Sequence, residues 1–88
     1  MFIRVKFSDK GEVWINGKIS PLGWTFEAKI YEEPSSFGIE GGKISKLFTR
    51  KSSGEDVFTY DRGWVKIPKT TLQIMVYKAI LRALAKIE

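Results

Sequence analysis

Apolar and polar residues alternate along the first third of the chain, which is the pattern of half-buried β-strands. The alternation predicts three strands, at about residues 2–8, 12–19 and 24–32. The third strand is the most regular, because Trp24, Phe26 and the apolar residues that follow them are separated by single polar positions. Segments rich in Gly, Pro, Asp and Ser separate the three strands and predict turns.

Asn16 and Gly17 lie in the middle of the second predicted strand and allow two interpretations. The pair is typical of a type I′ hairpin turn, which would divide the segment into two shorter strands. The apolar alternation keeps its phase through the pair, however. We therefore favour a continuous strand in which Gly17 marks a bulge or a close approach of another group.

Two further strands are predicted at about residues 43–50 and 57–60. The glycine-dense segment before the fourth strand, residues 37–42, requires special backbone geometry. The polar segment between the fourth and fifth strands, residues 51–56, predicts an exposed loop.

The end of the chain changes to helical spacing. Apolar residues from Leu72 to Ile87 recur every three or four positions, which predicts an amphipathic helix over about residues 71–87. Thr70 followed by Gln73 matches a capping box and marks the start of the helix. Three cations, at the last three turns of this helix, lie near the negative end of its dipole: Lys78, Arg82 and Lys86.

These elements predict one α+β domain over residues 1–88, an antiparallel meander of four or five strands with one C-terminal amphipathic helix packed on one face. Ile74, Tyr77 and Leu81 lie beside the main apolar stripe of the helix. They allow two interpretations, flanks of the core or the contact surface of a homodimer, because a chain this small gains much from additional burial.

The composition excludes several classes of chemistry. The 88 residues contain neither cysteine nor histidine, which excludes disulfide frameworks, Cys/His zinc sites and histidine-dependent nucleophiles. Glu32 and Glu33 are adjacent, so in a strand they point to opposite faces and form no acid–base pair. Asp61 lies in a turn, where a capping role is expected. We therefore predict a protein that is not an enzyme and that has no metal and no cofactor.

The chain has no run of 18 apolar residues, and its first six residues alternate charged with apolar positions instead of forming the apolar core of a secretory signal. We therefore expect no membrane partner. The absence of cysteine permits a cytoplasmic location, which we take as the prediction.

The net charge of +5 is unevenly distributed. Residues 1–42 carry five cations and six anions, whereas residues 43–88 carry ten cations and four anions. A basic half suggests a polyanionic partner, nucleic acid or an acidic protein. The same lysines also suit a role as solubilising charges, because no block of five like charges is present.

Basic residues next to aromatic residues give the candidate site, because exposed rings beside cations suit stacking on single-stranded nucleic acid. The predicted binding residues are Lys43, Lys46, Arg50, Lys51, Arg62, Trp64 and Lys66. The outer face of the sheet is a second candidate, from which the alternation projects Arg4, Lys6, Trp14, Lys18, Lys29 and Tyr31. The competing interpretation of the aromatic residues is that most of them fill the core.

The alternative function is a homo-oligomeric structural or accessory protein that assembles through the helix face or a sheet edge.

The glycine segment matches no phosphate-binding motif. Residues 38–43 lack the glycine spacing of a P-loop and of a dinucleotide fingerprint, and Ile44 stands where a P-loop has Ser or Thr. Gly38 to Gly41 has the letters of the Gly-x-x-Gly loop of a KH domain, but predicted strands flank it where that fold has helices. We therefore interpret it as a tight loop between two strands.

Two strings of the sequence carry a resemblance to a known family. They are the segment SFGIEGGKISKL at residues 36–47 and the segment YDRGW at residues 60–64, with the alternating residues 24–31 before them. Together they resemble a family of short uncharacterised bacterial and phage-associated proteins, a domain of unknown function. The resemblance implies no substrate, cofactor or catalytic residue. It does imply that the glycine loop and the YDRGW turn identify the family.

Overall fold

The structure, a computed structural model, describes residues 2–11 and 13–86, and in these residues it contains six strands, one short 3₁₀ helix and one α-helix. The elements are β1 (Arg4–Lys10), β2 (Trp14–Ser20), β3 (Trp24–Ile30), the 3₁₀ helix (Ile39–Gly41), β4 (Ile44–Arg50), β5 (Asp56–Asp61), β6 (Trp64–Lys66) and α1 (Thr71–Lys86). Each strand pairs antiparallel with the next, in the order β1-β2-β3-β4-β5-β6. The prediction of an α+β antiparallel meander with a C-terminal helix is confirmed.

The expected strand count of four or five was wrong, because the described residues form a sixth strand, β6. This strand has only three residues, all exposed, so it is too short to show alternation. Its position depends on the preceding turn, where the backbone N–H of Asp61 donates to the carbonyl of Gly63 at 2.8 Å. Arg62 in this turn has a φ of 59°, a left-handed conformation that the YDRGW string does not predict.

β1 begins and ends two residues later than predicted. β1 starts at Arg4 and continues to Lys10, and a bulge between Phe7 and Asp9 shifts its register against β2. The predicted start of β2, residue 12, lies outside the described residues, as does Ile87 at the predicted helix end. The other predicted boundaries differ from the observed ones by at most two residues.

Gly17 continues the second strand, as favoured by the alternation. A Cβ at this position would overlap the ring of Phe26 and lie 2.6 Å from the carbonyl oxygen of Lys6. The glycine therefore permits a close approach between β1, β2 and the Phe26 ring, while the bulge itself lies on β1 opposite it.

The core lies between the sheet and α1. Three apolar side chains of the helix, at four-residue spacing, are fully buried against the inner face of the sheet: Val76, Ile80 and Leu84. The sheet and the glycine loop contribute Ile15, Ile19, Trp24, Phe26, Ala28, Ile39, Leu47, Val57, Phe58 and Tyr60. Most of this set alternates along its strands, as the sequence predicts. The described residues contain no helix that is long and apolar enough to span a membrane.

The predicted helix cap is present. The backbone N–H of Gln73 donates to Thr70 Oγ1 at 3.1 Å, and Gln73 Oε1 accepts from the backbone N–H of Lys69 at 2.8 Å. Of the residues beside the apolar stripe, Tyr77 and Leu81 pack against the core and so act as its flanks, whereas Ile74 stays 37% exposed.

Candidate functional site

The face of the sheet opposite α1 is uncovered in the described residues, and we refer to it as the open face. Its centre is formed by alternate residues of three adjacent strands: Trp14, Asn16 and Lys18 of β2, Thr25, Glu27 and Lys29 of β3, and Lys46, Phe48 and Arg50 of β4. Arg4 and Lys6 of β1 extend it at one edge. The structure therefore places these β1, β2 and β3 residues on the outer face, where the alternation predicted them.

A stacked aromatic pair lies at the centre of the open face. The rings of Trp14 and Phe48 have centroids 6.4 Å apart and planes that differ by 18°. Trp14 remains 39% exposed, so part of its ring is accessible to a ligand. Arg50 places its guanidinium 5.6 Å from the Phe48 centroid. Rings supported in this way are held in place by the sheet and by the cation above them.

Lys29 connects this pair with a third ring. Its ammonium lies 5.9 Å from the centroid of Trp14 and 5.4 Å from that of Tyr31, which lies just after β3 and is 42% exposed. A hydrogen bond with the Ser45 hydroxyl, followed by the hydrogen bond and positive charge of Lys29, lowers the pKa of the Tyr31 phenol. A cation between two exposed rings is therefore available to an incoming anion.

On the β4–β5 side of the open face, carboxylates neutralise the cations. Arg50 pairs with Glu27 at 3.1 Å and with Asp56 at 3.2 Å, and Lys46 pairs with Asp61 at 3.3 Å. All these side chains are partly exposed, so the pairs contribute little to stability but do cancel charge locally.

On the β1–β3 side of the open face, by contrast, the cations form no ion pair with another described residue. Lys6 lies directly opposite Lys18 in the β1–β2 register, and neither forms an ion pair with a described carboxylate. Lys29 likewise lies opposite Lys46. Like charges directly opposite in a sheet are destabilising. An anion bound over this side would relieve that repulsion.

The structure divides the seven residues of the predicted site. Lys46, Arg50 and Lys66 lie on the open face, and the Lys66 ammonium donates to the carbonyl of Asp56 at 2.8 Å. The other four lie elsewhere: Lys43 before β4, Lys51 in the β4–β5 turn beside Glu55, and Arg62 and Trp64 at the YDRGW turn. The predicted set therefore does not form one surface.

Trp64 packs on the helix side of the sheet. Its ring is 5.0 Å from Tyr60 and 5.4 Å from Tyr77 in edge-to-face geometry. Arg62 turns toward the glycine loop, with its guanidinium 5.2 Å from the Phe37 ring. The YDRGW turn thus anchors the end of the sheet to α1 and to the glycine loop.

The glycine loop is a tight connection between β3 and β4, as interpreted from the sequence. A Cβ on Gly38 would overlap the carbonyl of Gly42, so the backbones of these two loop residues are in direct contact. The Tyr60 hydroxyl donates to the carbonyl of Phe37 at 2.8 Å, and Tyr77 donates to Glu40 at 3.0 Å. Glu40 has a φ of 54°. These contacts fix the loop on the core.

Phe48 and Glu27 are not among the seven predicted binding residues. Both lie on the open face because of the β3–β4 register, in which they are direct partners. The alternation of Lys46 and Arg50 around Phe48 is the signal that assigns Phe48 to their face. No local signal joins Glu27 to Arg50, 23 residues away.

A six-stranded meander with one covering helix and one open face of rings and cations defines a small α+β domain with an exposed sheet surface. The chain belongs to the family described as a domain of unknown function (DUF7678), whose model matches residues 13–85. The resemblance to an uncharacterised domain family is thereby confirmed. No curated protein and no solved structure matches the chain.

Proposed function

We propose that this protein is a non-catalytic binding module that holds single-stranded nucleic acid on the open face of its sheet. The observation that carries the proposal is the Trp14–Phe48 stack, with the Lys29 ammonium 5.9 Å from the Trp14 ring and without a carboxylate partner among the described residues. Exposed rings beside free cations are what single-stranded nucleic acid requires, because every base has a face that stacks and every linkage carries a charge.

The proposed contacts follow from the geometry of the face. A base stacks on the accessible part of Trp14, and Lys29 contacts the adjacent phosphate. Further phosphates follow the unpaired cations toward β1, where Lys18 and Lys6 lie on neighbouring strands. Lys18 lies four residues along β2 from Trp14, the register partner of Lys29, which is ~13 Å along the strand, and Lys6 is the register partner of Lys18 on β1. Because adjacent strands are about 4.8 Å apart, these cations form a diagonal track of ~16 Å over the sheet.

The proposed binding surface differs from the one that the charge count predicted in the basic half of the chain. Of the cations of the basic half that lie on the open face, Lys46 and Arg50 are paired with carboxylates and Lys66 donates to the Asp56 carbonyl. The cations on this face that have no such partner among the described residues belong to the first half of the chain. The face therefore combines aromatic and basic residues from both halves, with no catalytic group, cofactor or membrane in its proposed role. A cytoplasmic location suits such a partner.

Fluorescence anisotropy of labelled oligothymidylate and oligouridylate at low salt tests the proposal. We expect binding that weakens as salt rises. Trp14→Ala should lower the affinity about tenfold, because stacking contributes ~1–3 kcal/mol per base. Lys29→Glu should also lower it, since the reversed charge repels the phosphate.

Lys86→Glu is the matched control, because it changes the net charge by the same amount on the exposed end of α1. Lys86→Glu should bind the oligonucleotides more tightly than Lys29→Glu does, with an affinity closer to that of the wild type. Equal losses in the two variants, or no binding of either oligonucleotide at low salt, would exclude the open face as the binding site.

Homo-oligomerisation through the edge strand β6 is the second candidate. Val65 and Ile67 are 72% and 50% exposed on and just after this strand, and exposed apolar side chains on a sheet edge favour association. Sedimentation at increasing concentration should then show a dimer that Val65→Lys dissociates. A strictly monomeric mass would exclude it.

A further inference from the structure

An uncovered groove runs between the edge strand β1 and the helix α1. β1 ends the strand order, so its outer backbone edge pairs with no strand of the described residues. The groove has a volume of about 350 Å³. Its apolar lining comes from the residue before β1, two side chains of β1 and two small residues of α1: Ile3, Val5, Phe7, Ala79 and Ala83.

The apolar surface continues past the start of β1. A second hollow of about 280 Å³ shares Ile3 and Ala79 with the groove and reaches Phe2 and Met75. Phe2 is 90% exposed and Met75 is 42% exposed. Together the two hollows form one apolar channel alongside the edge strand, which we call the β1–α1 groove.

Cations flank this edge on both sides. From α1, Lys78, Arg82 and Lys86 line the β1–α1 groove. On the other side of the sheet, Arg4 and Lys6 project from β1 onto the open face. None of these cations forms an ion pair with a described carboxylate. An occupant of the groove is therefore expected to be both apolar and acidic.

We infer that the outer edge of β1 binds an acidic segment of another protein as an added β-strand. An extended segment points successive side chains to opposite faces of the sheet. Its apolar side chains enter the β1–α1 groove above Ala79 and Ala83. Its acidic side chains lie on the open face beside Arg4 and Lys6. Backbone hydrogen bonds supply affinity in this mode, and the groove supplies specificity.

A second copy of this chain is a poorer occupant. Pairing two β1 edges brings the Arg4 and Lys6 side chains of both copies together, and each copy has a net charge of +5. Like charges opposite each other across a strand pair are destabilising. Charge complementarity therefore favours an acidic partner over self-association at this edge.

The test measures binding of a short fluorescein-labelled peptide that alternates glutamate with valine, with a lysine–valine peptide for comparison. We expect the acidic peptide alone to bind and to shift the amide resonances of β1 and α1. N-methylation of the peptide amides along the edge that faces β1 should abolish binding. N-methylation along the opposite edge should leave binding intact, because only a paired strand makes that distinction.

Two variants address the groove directly. Arg82→Glu should weaken the acidic peptide about tenfold, and Ala83→Leu should weaken it by filling the groove without a change of charge. Lys51→Glu is the charge-matched control, because Lys51 lies in the β4–β5 turn. Its affinity should remain within about twofold of the wild type.

Three results would overturn the inference. The first is that the acidic peptide does not bind at millimolar concentration. The second is an equal loss of peptide affinity in Arg82→Glu and Lys51→Glu, and the third is a set of resonance shifts confined to the open face around Trp14. A dimer that Ala83→Leu dissociates would assign the groove to a second copy instead. Arg82→Glu should not change oligonucleotide affinity more than Lys51→Glu does, so this inference and the proposed function fail independently.

Discussion

The Tyr77 hydroxyl donates a hydrogen bond to the Glu40 carboxylate at 3.0 Å, which ties the helix to the glycine loop 37 residues earlier. The Tyr77 ring also packs edge-to-face against Phe58 and Trp64. Burial, together with the hydrogen bond to the negative Glu40, raises the pKa of the Tyr77 phenol well above its ordinary value. The glycine loop, the YDRGW turn and the helix thus meet at one side chain.

This contact predicts a loss of stability in alkali. In the unfolded chain Tyr77 ionises near its ordinary pKa of 10.0, whereas in the folded chain it remains neutral at that pH. The unfolded state therefore binds fewer protons above about pH 10, and the free energy of unfolding falls as pH rises. Urea unfolding between pH 8 and about pH 11 should show a shallower fall for Tyr77→Phe than for the wild type.

Tyr31→Phe is the control of opposite sign. The folded protein lowers the pKa of the Tyr31 phenol below its value in the unfolded chain. The phenolate form therefore stabilises the fold at a pH above the pKa of the unfolded chain. This contribution is lost as the pH falls through the pKa of the folded chain. The unfolding free energy of Tyr31→Phe should therefore fall more steeply in alkali than that of the wild type. Parallel curves for Tyr77→Phe and the wild type would contradict the assigned role of the Glu40 contact.

Gly38→Ala should destabilise the protein by about 2 kcal/mol, because the added Cβ overlaps the Gly42 carbonyl and the backbone of the loop must move. Gly63→Ala is the control. A Cβ on Gly63 meets nothing within 4 Å, so this variant should unfold close to the wild type. Urea midpoints measure both. A neutral Gly38→Ala would show that the glycine loop is not closed as described.

Thr49→Val should stabilise the protein by about 1 kcal/mol, because a methyl group replaces a buried hydroxyl that has no hydrogen-bond partner among the described residues. Thr49 lies between Phe26 and Phe58 in the sheet register, so its surroundings are apolar. The buried hydroxyl of Ser45, by comparison, donates to the Lys29 carbonyl at 3.4 Å. Ser45→Ala should not gain stability, and thermal unfolding of both variants distinguishes the two cases.

The sequence predicted elements whose signal is local. Alternation identified the inner and outer faces of β2 and β3, and the pair Thr70 and Gln73 identified the start of α1. It missed β6, because three exposed residues carry no period and the strand depends on a left-handed Arg62.

The candidate site was harder to predict, because register and ion pairing join residues that are distant in the chain. Counting charges assigned the binding surface to the second half of the sequence. In the structure, Arg50 pairs with Glu27 from the first half, and the repulsive pair Lys6 and Lys18 arises only from the β1–β2 register. Neither relationship can be derived from spacing along one strand.

The Lys6–Lys18 pair is expected to affect stability and nucleic-acid binding in opposite directions. Lys18→Glu replaces a repulsion across the strand pair by an attraction. The variant should therefore gain about 0.5 kcal/mol in unfolding free energy. If the open face binds nucleic acid, the same variant should bind oligothymidylate more weakly, because a carboxylate then lies in the path of the phosphates.

Thermal unfolding and fluorescence anisotropy on the same Lys18→Glu preparation measure both effects. Lys51→Glu again serves as the control, since it breaks a pair with Glu55 instead of relieving a repulsion and should gain no stability. A Lys18→Glu protein that is more stable and binds as tightly as the wild type would separate these cations from nucleic-acid binding. A more stable protein that binds more weakly would show that the open face maintains unfavourable like-charge pairs because its ligand requires them.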